Sequence, residues 1–192
     1  EEALEVTKIH SVAGLLPQGA SLVTARPFRA PHHTISQHAL VGGGSIPKPG
    51  EISLAHKGVL FLDEMPEFSK SALEVLRQPV EDGVVTISRV NSTVRYPSDT
   101  TLICAANPCK CGNYMDPGKE CTCTPAQIRN YLERLSGPLL DRIDIHVEVP
   151  SIRYEDLQTT RKAESSRSIR KRVAEARKLQ IERYRKYNIF SN

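Results

Sequence analysis

The sequence predicts an α/β domain built on a mainly parallel sheet with flanking helices. Three observations lead there. "GVLFLDE", residues 58–64, sets four apolar residues in unbroken succession, the pattern of a strand covered on both faces, as parallel strands are. "TLICAAN", ending at Asn107, has the same character. Between them, "SKSALEVLRQPVEDG" has helical spacing, with Ser69 as N-cap, Ala72, Val75 and Leu76 on one face, and Gly83 past the end.

The other elements follow in order. Residues 1–13 place Leu4, Val6, Ile9 and Val12 at helical intervals behind an acidic start. "SLVTARPFR" is expected to be a strand that stops at Pro27. "APHHTISQHALVGGGSIPKPG" is too rich in Gly, Pro and His for a regular element and is expected to be a long functional loop with one helical turn. "VVTISRVNSTVRYP" gives two β-type runs around Val90-Asn91-Ser92, a hairpin. After the Cys-rich loop 108–125 come a helix, "AQIRNYLERL", then a turn, then a strand, "IDIHVEV". "YEDL" and a basic helix finish the chain, and in that helix Ile169, Val173, Ala176 and Leu179 form a stripe. The expected organisation is a core over residues 1–150 and a basic helical linker over residues 151–192.

Composition narrows the function classes. With 192 residues, 39% hydrophobic and 25% charged, the chain is long enough for one well-formed core. No apolar run approaches the roughly 18 residues that span a bilayer, and no secretory leader is visible, so no membrane role and a cytoplasmic location are expected. Net charge is +4, but residues 151–192 hold 12 Lys/Arg against 5 Asp/Glu. A basic tail can signal nucleic-acid contact, but composition alone favours a solvated helix.

Asp63 and Glu64 carry the first chemical signal. A carboxylate at the C-terminal end of a buried strand sits where open α/β sheets bind ligands, and there it can hold Mg²⁺ beside a nucleotide. A second carboxylate one residue on can polarise an attacking water. Such a site also needs a phosphate cradle, G-x-x-x-x-G-K-[ST]. "GLLPQGAS" has Ala20 where the Lys belongs, with a helix before it and a strand after it, and "VGGGSIPKPG" has the wrong spacing. The cradle is expected to lie outside this stretch of chain.

The cysteines carry the second signal. Cys109, Cys111, Cys121 and Cys123 form C-x-C-x₉-C-x-C, which can wrap a tetrahedral Zn²⁺; two disulfides or four free thiols are the alternatives. Cys104 lies in an apolar run and is expected to be a small core residue.

Taken together, "RPFRAPHHTIS", "LVGGGSIPKPGEISLAHKGVLFLDEMPEF", "LRQPVEDGVVTISR", "AANPCKCG" and "LSGPLLDRIDIHVEVP" resemble the magnesium-chelatase-like AAA+ ATPases, and within them the ComM/YifB branch of competence-associated helicases. The resemblance covers about residues 1–185. It implies an AAA+ P-loop NTPase-type fold without its first core strand, phosphate loop and lid, a β-hairpin insertion, ATP and Mg²⁺ as cofactors, DNA as partner, a homo-hexameric ring, and a piece inactive alone. Asp63 would help hold Mg²⁺ and Glu64 would activate the hydrolytic water. Asn107 would be the γ-phosphate sensor; read by itself, it caps the turn before Pro108. Arg142 would be an arginine finger reaching a neighbouring subunit; read by itself, it pairs with Asp141 or Asp144. The loop His32–Gly44 and the hairpin, with Arg89 near its tip and Arg95 on its return strand, would face the pore as DNA contacts. His32, His33 and His38 are read as loop polarity and hydrogen bonding. The missing strand would leave "TLICAA" and "IDIHVEV" either paired directly or bridged by another chain. Two rival readings remain: a metal-inserting chelatase subunit, and a non-catalytic, zinc-stabilised DNA-binding module.

Overall fold

The apolar run at residues 59–62 forms the middle strand of an all-parallel, three-stranded sheet, ordered β1 (Phe28–Arg29), β4 (Val59–Leu62) and β7 (Thr101–Cys104). The computed structural model of the chain describes residues 1–16, 18–19, 21–89, 92–151 and 163–187. Two units, Glu1–Val149 and Pro150–Asn192, separate by their internal packing.

β4 enters the sheet through Gly58. The Val59 N–H donates to the Pro27 carbonyl at 2.9 Å, and the Thr101 N–H donates to the Gly58 carbonyl at 3.0 Å. A Cβ on Gly58 would stand 2.0 Å from the Pro27 oxygen, so only glycine fits. Leu60 and Leu62 are fully buried, whereas Val59 and Phe61 are half-buried, and Phe61 stacks on Phe28 with centroids 6.2 Å apart. One face of the strand is therefore more deeply covered than the other.

The remaining elements build around the sheet. α1 (Glu2–Ala13) buries Val6 and Ile9. It is tied to the entrance of β4 through His56, which is 3% exposed. The Asp99 N–H donates to His56 Nδ1 at 3.1 Å, which leaves Nε2–H to donate to Glu5 at 2.9 Å. α2 (Gln37–Val41) supplies Leu40, and α3 (Glu51–Leu54) supplies Ile52. Glu51 holds Arg29 in a two-pronged ion pair at 2.6 and 2.7 Å. Between α2 and α3, the glycine-rich run makes a small antiparallel hairpin, β2 (Gly42–Gly43) with β3 (Lys48–Pro49).

The helix expected after β4 is broken into α4 (Lys70–Glu74) and α5 (Arg77–Asp82). Ser69 caps the first, accepting from the Ala72 N–H at 3.2 Å, and Gly83 ends the second. The break is the work of Pro79, which has no N–H for the Val75 carbonyl and whose ring crowds it. β5 (Val84–Arg89) and β6 (Ser92–Pro97) form the expected hairpin, with Val90 and Asn91 of its turn outside the described residues. It docks through Val85, Ile87 and Tyr96, whose hydroxyl donates to the Pro47 carbonyl at 2.8 Å. α6 (Pro125–Leu132) starts at a capping box of Thr124 and Gln127, and the short α7 (Gly137–Leu140) buries Leu139.

Two expected strands are absent among the described residues. Residues 21–27 are not a strand: Pro27 cannot donate to a ladder, and the Val23 N–H goes to the Thr7 hydroxyl instead. "IDIHVEV" pairs with nothing, and Ile145, Val147 and Val149 are 76%, 75% and 80% exposed. The direct closure of this segment onto β7 therefore does not occur. A strand is made by its partner as much as by its alternation, and β7 has β4 on one side only.

The second unit contains one long helix, Ser166–Tyr184, capped by Ser165. Its stripe is present but open, with Ile169 at 41%, Val173 at 60% and Leu179 at 67% exposure. The "YEDL" segment lies outside the described residues.

Two measurements test this architecture. Gly58→Ala forces apart the β1–β4 entrance and is expected to cost about 1–3 kcal/mol, read as a fall in the urea midpoint; an unchanged midpoint would refute the close approach to Pro27. The hydrogen bond from His56 holds the Glu5 carboxyl below its ordinary value. A depressed carboxyl stabilises the fold above its unfolded-state pKa, and that contribution disappears as pH falls through the folded-state value. Glu5→Gln should therefore weaken the protein near neutrality and flatten its stability profile below about pH 4.5.

Candidate functional site

Because β1, β4 and β7 run parallel, their C-terminal ends open on the same edge of the sheet. That edge collects the residues that follow each strand. After β1 comes the loop with His32 and His33, after β4 come Asp63 and Glu64, and after β7 comes Asn107. In open α/β sheets this is the ligand edge.

The turn after β4 is sharply built. The Ala105 N–H donates to the Leu62 carbonyl and the Met65 N–H to the Ala105 carbonyl, both at 2.9 Å, so the β4–β7 pairing continues around the acidic pair. Asp63 and Glu64 project into solvent between these two anchors. Asp63 Oδ1 accepts from the Glu64 N–H at 2.9 Å. Glu64 itself has φ +51° and ψ 44°, a left-handed conformation that costs a non-glycine residue roughly 1–2 kcal/mol. Strain of this kind persists where the surroundings over-determine it, and functional sites are where it gathers.

The Glu64 carboxylate meets His33, with Oε2 3.3 Å from Nδ1. His33 is in turn packed on His32, with ring centroids 4.1 Å apart, and edge-on to Phe68 at 6.4 Å. Reading His33 as loop polarity and hydrogen bonding named no partner for it. The signal that could have found it is the parallel order, which sets the loop after β1 beside the turn after β4. Arg134, also missed, reaches from beyond α6 to the Pro66 carbonyl at 3.0 Å and to Glu67 at 3.2 Å. An open depression of about 710 Å³ lies beside this turn, lined by His33, Ile35, Gln37, Phe68, Lys70 and Arg134.

The other expected residues fall as follows. Asn107 is exposed, three residues past β7. Arg142 pairs with neither Asp141 nor Asp144: its guanidinium holds Glu81 of α5 through Nε at 2.9 Å and donates to the Pro138 carbonyl at 2.5 Å. Arg89 and Arg95 are both exposed and lack an ion-pair partner among the described residues. They sit on opposite faces of the hairpin, since Arg95 pairs with outward Thr86, whereas Arg89 shares the parity of inward Val85 and Ile87. Arg89 lies over the glycine turn: a Cβ on Gly43 would be 3.7 Å from its guanidinium and 3.2 Å from His38 Nδ1. The hairpin and the His loop, separate in sequence, thus meet at one place.

Cys109, Cys111, Cys121 and Cys123 converge, with all four sulfurs within 4.8 Å of one another. Backbone donation from Asn113, helped by Cys109 and by Thr122, pulls the Cys111 thiol down to about 5. The Cys123 N–H favours a thiolate at Cys121, but desolvation and the sulfurs of Cys111 and Cys109 push that thiol up to about 12. Cys104 stands apart in β7, where burial pushes its thiol up to about 11, as suits an inert core residue.

The residues present suit a hydrated Mg²⁺: an exposed strand-end carboxylate at Asp63 with a second carboxylate next to it. No helix among the described residues is long and apolar enough to cross a membrane.

A parallel sheet with an acidic turn at its ligand edge defines the class: an α/β fragment of the AAA+ P-loop NTPase type. The family described as "Magnesium chelatase, subunit ChlI" matches residues 1–157. The chain belongs to this magnesium-chelatase family, in its ComM/YifB branch. It is 51% identical over 168 residues to "Competence protein ComM" of Haemophilus influenzae, covering 87% of this chain and 33% of that protein. It is 46% identical over 189 residues to YifB of Escherichia coli, covering 98% of this chain and 37% of that protein. To "Magnesium-chelatase subunit ChlI" of Synechocystis it is 25% identical over 122 residues, covering 64% of this chain and 28% of that protein. The chain thus spans about a third of the length of the ComM and YifB relatives.

Replacing Glu64 with glycine removes the left-handed strain and loses only a half-exposed contact with His33, so Glu64→Gly is expected to raise stability by up to about 1 kcal/mol in urea unfolding. A clear loss of stability would mean that Glu64 is there to hold the turn.

Proposed function

We propose that the chain is the part of an ATP-hydrolysing AAA+ motor that carries its acidic turn, and that the whole protein acts on DNA in the cytoplasm, in branch migration or unwinding. The observation that carries this reading is the strained Glu64 at the ligand edge of the sheet, engaged by His33 and adjacent to Asp63. The similarity to ComM supports the DNA substrate.

In this reading Glu64 accepts a proton from the attacking water. Its contact with His33 holds the carboxylate on the strand-end side until substrate arrives. Asp63 would be the residue to hold Mg²⁺, which would supply charge neutralisation at the phosphates. Asn107 presents its amide from the neighbouring strand. Arg142 serves an adjacent subunit of a hexameric ring after releasing Glu81, which would make turnover depend on assembly. Arg89, beside His38 and the glycine turn, contacts the DNA backbone; Arg95 faces the other side and contributes less. Because residues 1–192 contain no G-x-x-x-x-G-K-[ST], this stretch alone is expected to turn over no ATP.

The test uses a full-length protein containing this segment. Glu64→Gln should lower ATP turnover by about 10²-fold or more while nucleotide binding persists. Branched or single-stranded DNA should raise the wild-type rate, and Arg89→Ala should blunt that rise more than Arg95→Ala does. A rate indifferent to DNA and dependent on a porphyrin would replace the motor by a chelatase. Unchanged turnover in Glu64→Gln would overturn the assignment of the acidic turn.

A further inference from the structure

The loop between β7 and α6 has the geometry of a single-metal site. Cys109 Sγ is 3.3 Å from Cys111 Sγ and 3.8 Å from Cys121 Sγ, and Cys111 is 3.5 Å from Cys121. Four thiolates placed tetrahedrally about Zn²⁺, each at about 2.3 Å, stand about 3.8 Å from one another. A disulfide needs its sulfurs at about 2.05 Å, and all four cysteines are free thiols. A cluster of several irons would spread the ligands further than the 4.8 Å that bounds every pair here.

A second, independent feature is the backbone around the sulfurs. The Tyr114 N–H donates to Cys109 at 3.3 Å. An N–H donated to sulfur supports a thiolate over a thiol, and Cys109 is the fully buried member of the four. Gly112, with φ +80°, makes the tight turn that aims these groups inward. Four thiolates this close repel one another strongly, and a soft dication removes that repulsion.

We propose that Cys109, Cys111, Cys121 and Cys123 together bind one Zn²⁺ as a closed, structural site. Binding leaves all four sulfurs as thiolates and releases whatever protons they still carry. With four protein ligands no coordination position is left for substrate, so the ion acts through shape. Its place in the chain says what it shapes. Cys109 is fully buried and lies two residues past Asn107. Cys123 immediately precedes Thr124, the cap of α6. The ion thus ties the end of β7 to the start of α6. Just beyond α6, Arg134 donates to the Pro66 carbonyl and pairs with Glu67. The helix that the metal loop leads into therefore also braces the acidic turn, and loading the loop fixes both Asn107 and that brace.

The experiment needs neither ATP nor DNA, so its outcome is separate from the motor reading. The 192-residue chain, purified under reducing conditions without chelators, is expected to carry about one zinc by elemental analysis. Cobalt substituted for zinc should show tetrahedral ligand-field bands and intense thiolate charge transfer, a measurement on the unaltered chain that no misfolded variant can confuse. Cys109→Ser and Cys123→Ser should lose the ion, whereas Cys104→Ser keeps it. Removing the metal should speed amide exchange across residues 107–124 before the rest of the sheet. A chain without zinc that also takes up no tetrahedral cobalt would overturn the proposal. So would two disulfides in the intact mass, an iron–sulfur absorbance, or equal metal loss in Cys104→Ser.

Discussion

The fold depends on one close approach: the backbone of Gly58 against Pro27. β4 can pair on both sides only because the residue just before it, Gly58, carries no side chain where the Pro27 carbonyl must come. That pairing commits β1, β4 and β7 to a common direction, and a common direction is what brings three separate loops to one edge. His33, Glu64 and Asn107 are 31 and 43 residues apart in sequence, yet they follow neighbouring strands. The site is a consequence of sheet polarity, and sheet polarity rests on a glycine.

Much of this was legible. Four apolar residues running into Asp63-Glu64 announced a strand ending in an acidic pair, and the structure has the strand with the exposed pair at its end. Ser69 and Gly83 mark the two ends of the helical segment, and Pro79 inside it divides it in two. Sequence patterns report local preference; they do not say which partner a backbone group will find. "SLVTARPFR" yields only its last two residues, Phe28–Arg29, as strand, because the Val23 N–H goes to Thr7 of α1 and Pro27 cannot donate. The contacts between distant charges were invisible for the same reason. Nothing in the spacing of Arg142 points to Glu81, 61 residues away, or in that of Arg134 to Glu67.

The cysteines were legible to a different degree. C-x-C-x₉-C-x-C names the ligand types, but two pairs on a flexible loop can be pointed anywhere. Convergence comes from the backbone: the turn at Gly112 and the capping box at Thr124 bring both ends of the loop to one place. The spread between Cys111, pulled down to about 5, and Cys121, pushed up to about 12, expresses the same crowding, in which the first sulfur to ionise discourages the next.

The segment "IDIHVEV" shows where pattern and partner part company. Its alternation is genuine, and Ile145, Val147 and Val149 lie on one parity as a strand face requires. Each is nevertheless about three-quarters exposed, while Ile143, just before them, packs on the core. The change occurs within two residues, so it is not a matter of composition. Ile143 is carried to the core by α7 and by the Arg142–Glu81 pair, whereas residues 145–149 have no ladder to join among the described residues. Alternation decides which side chains share a face, and only a neighbouring strand decides whether that face is buried. The same pair that seats Ile143 also occupies Arg142. Any reaction that calls that arginine outward must therefore loosen the end of α7, coupling the movement of the guanidinium to the packing of the core beneath it.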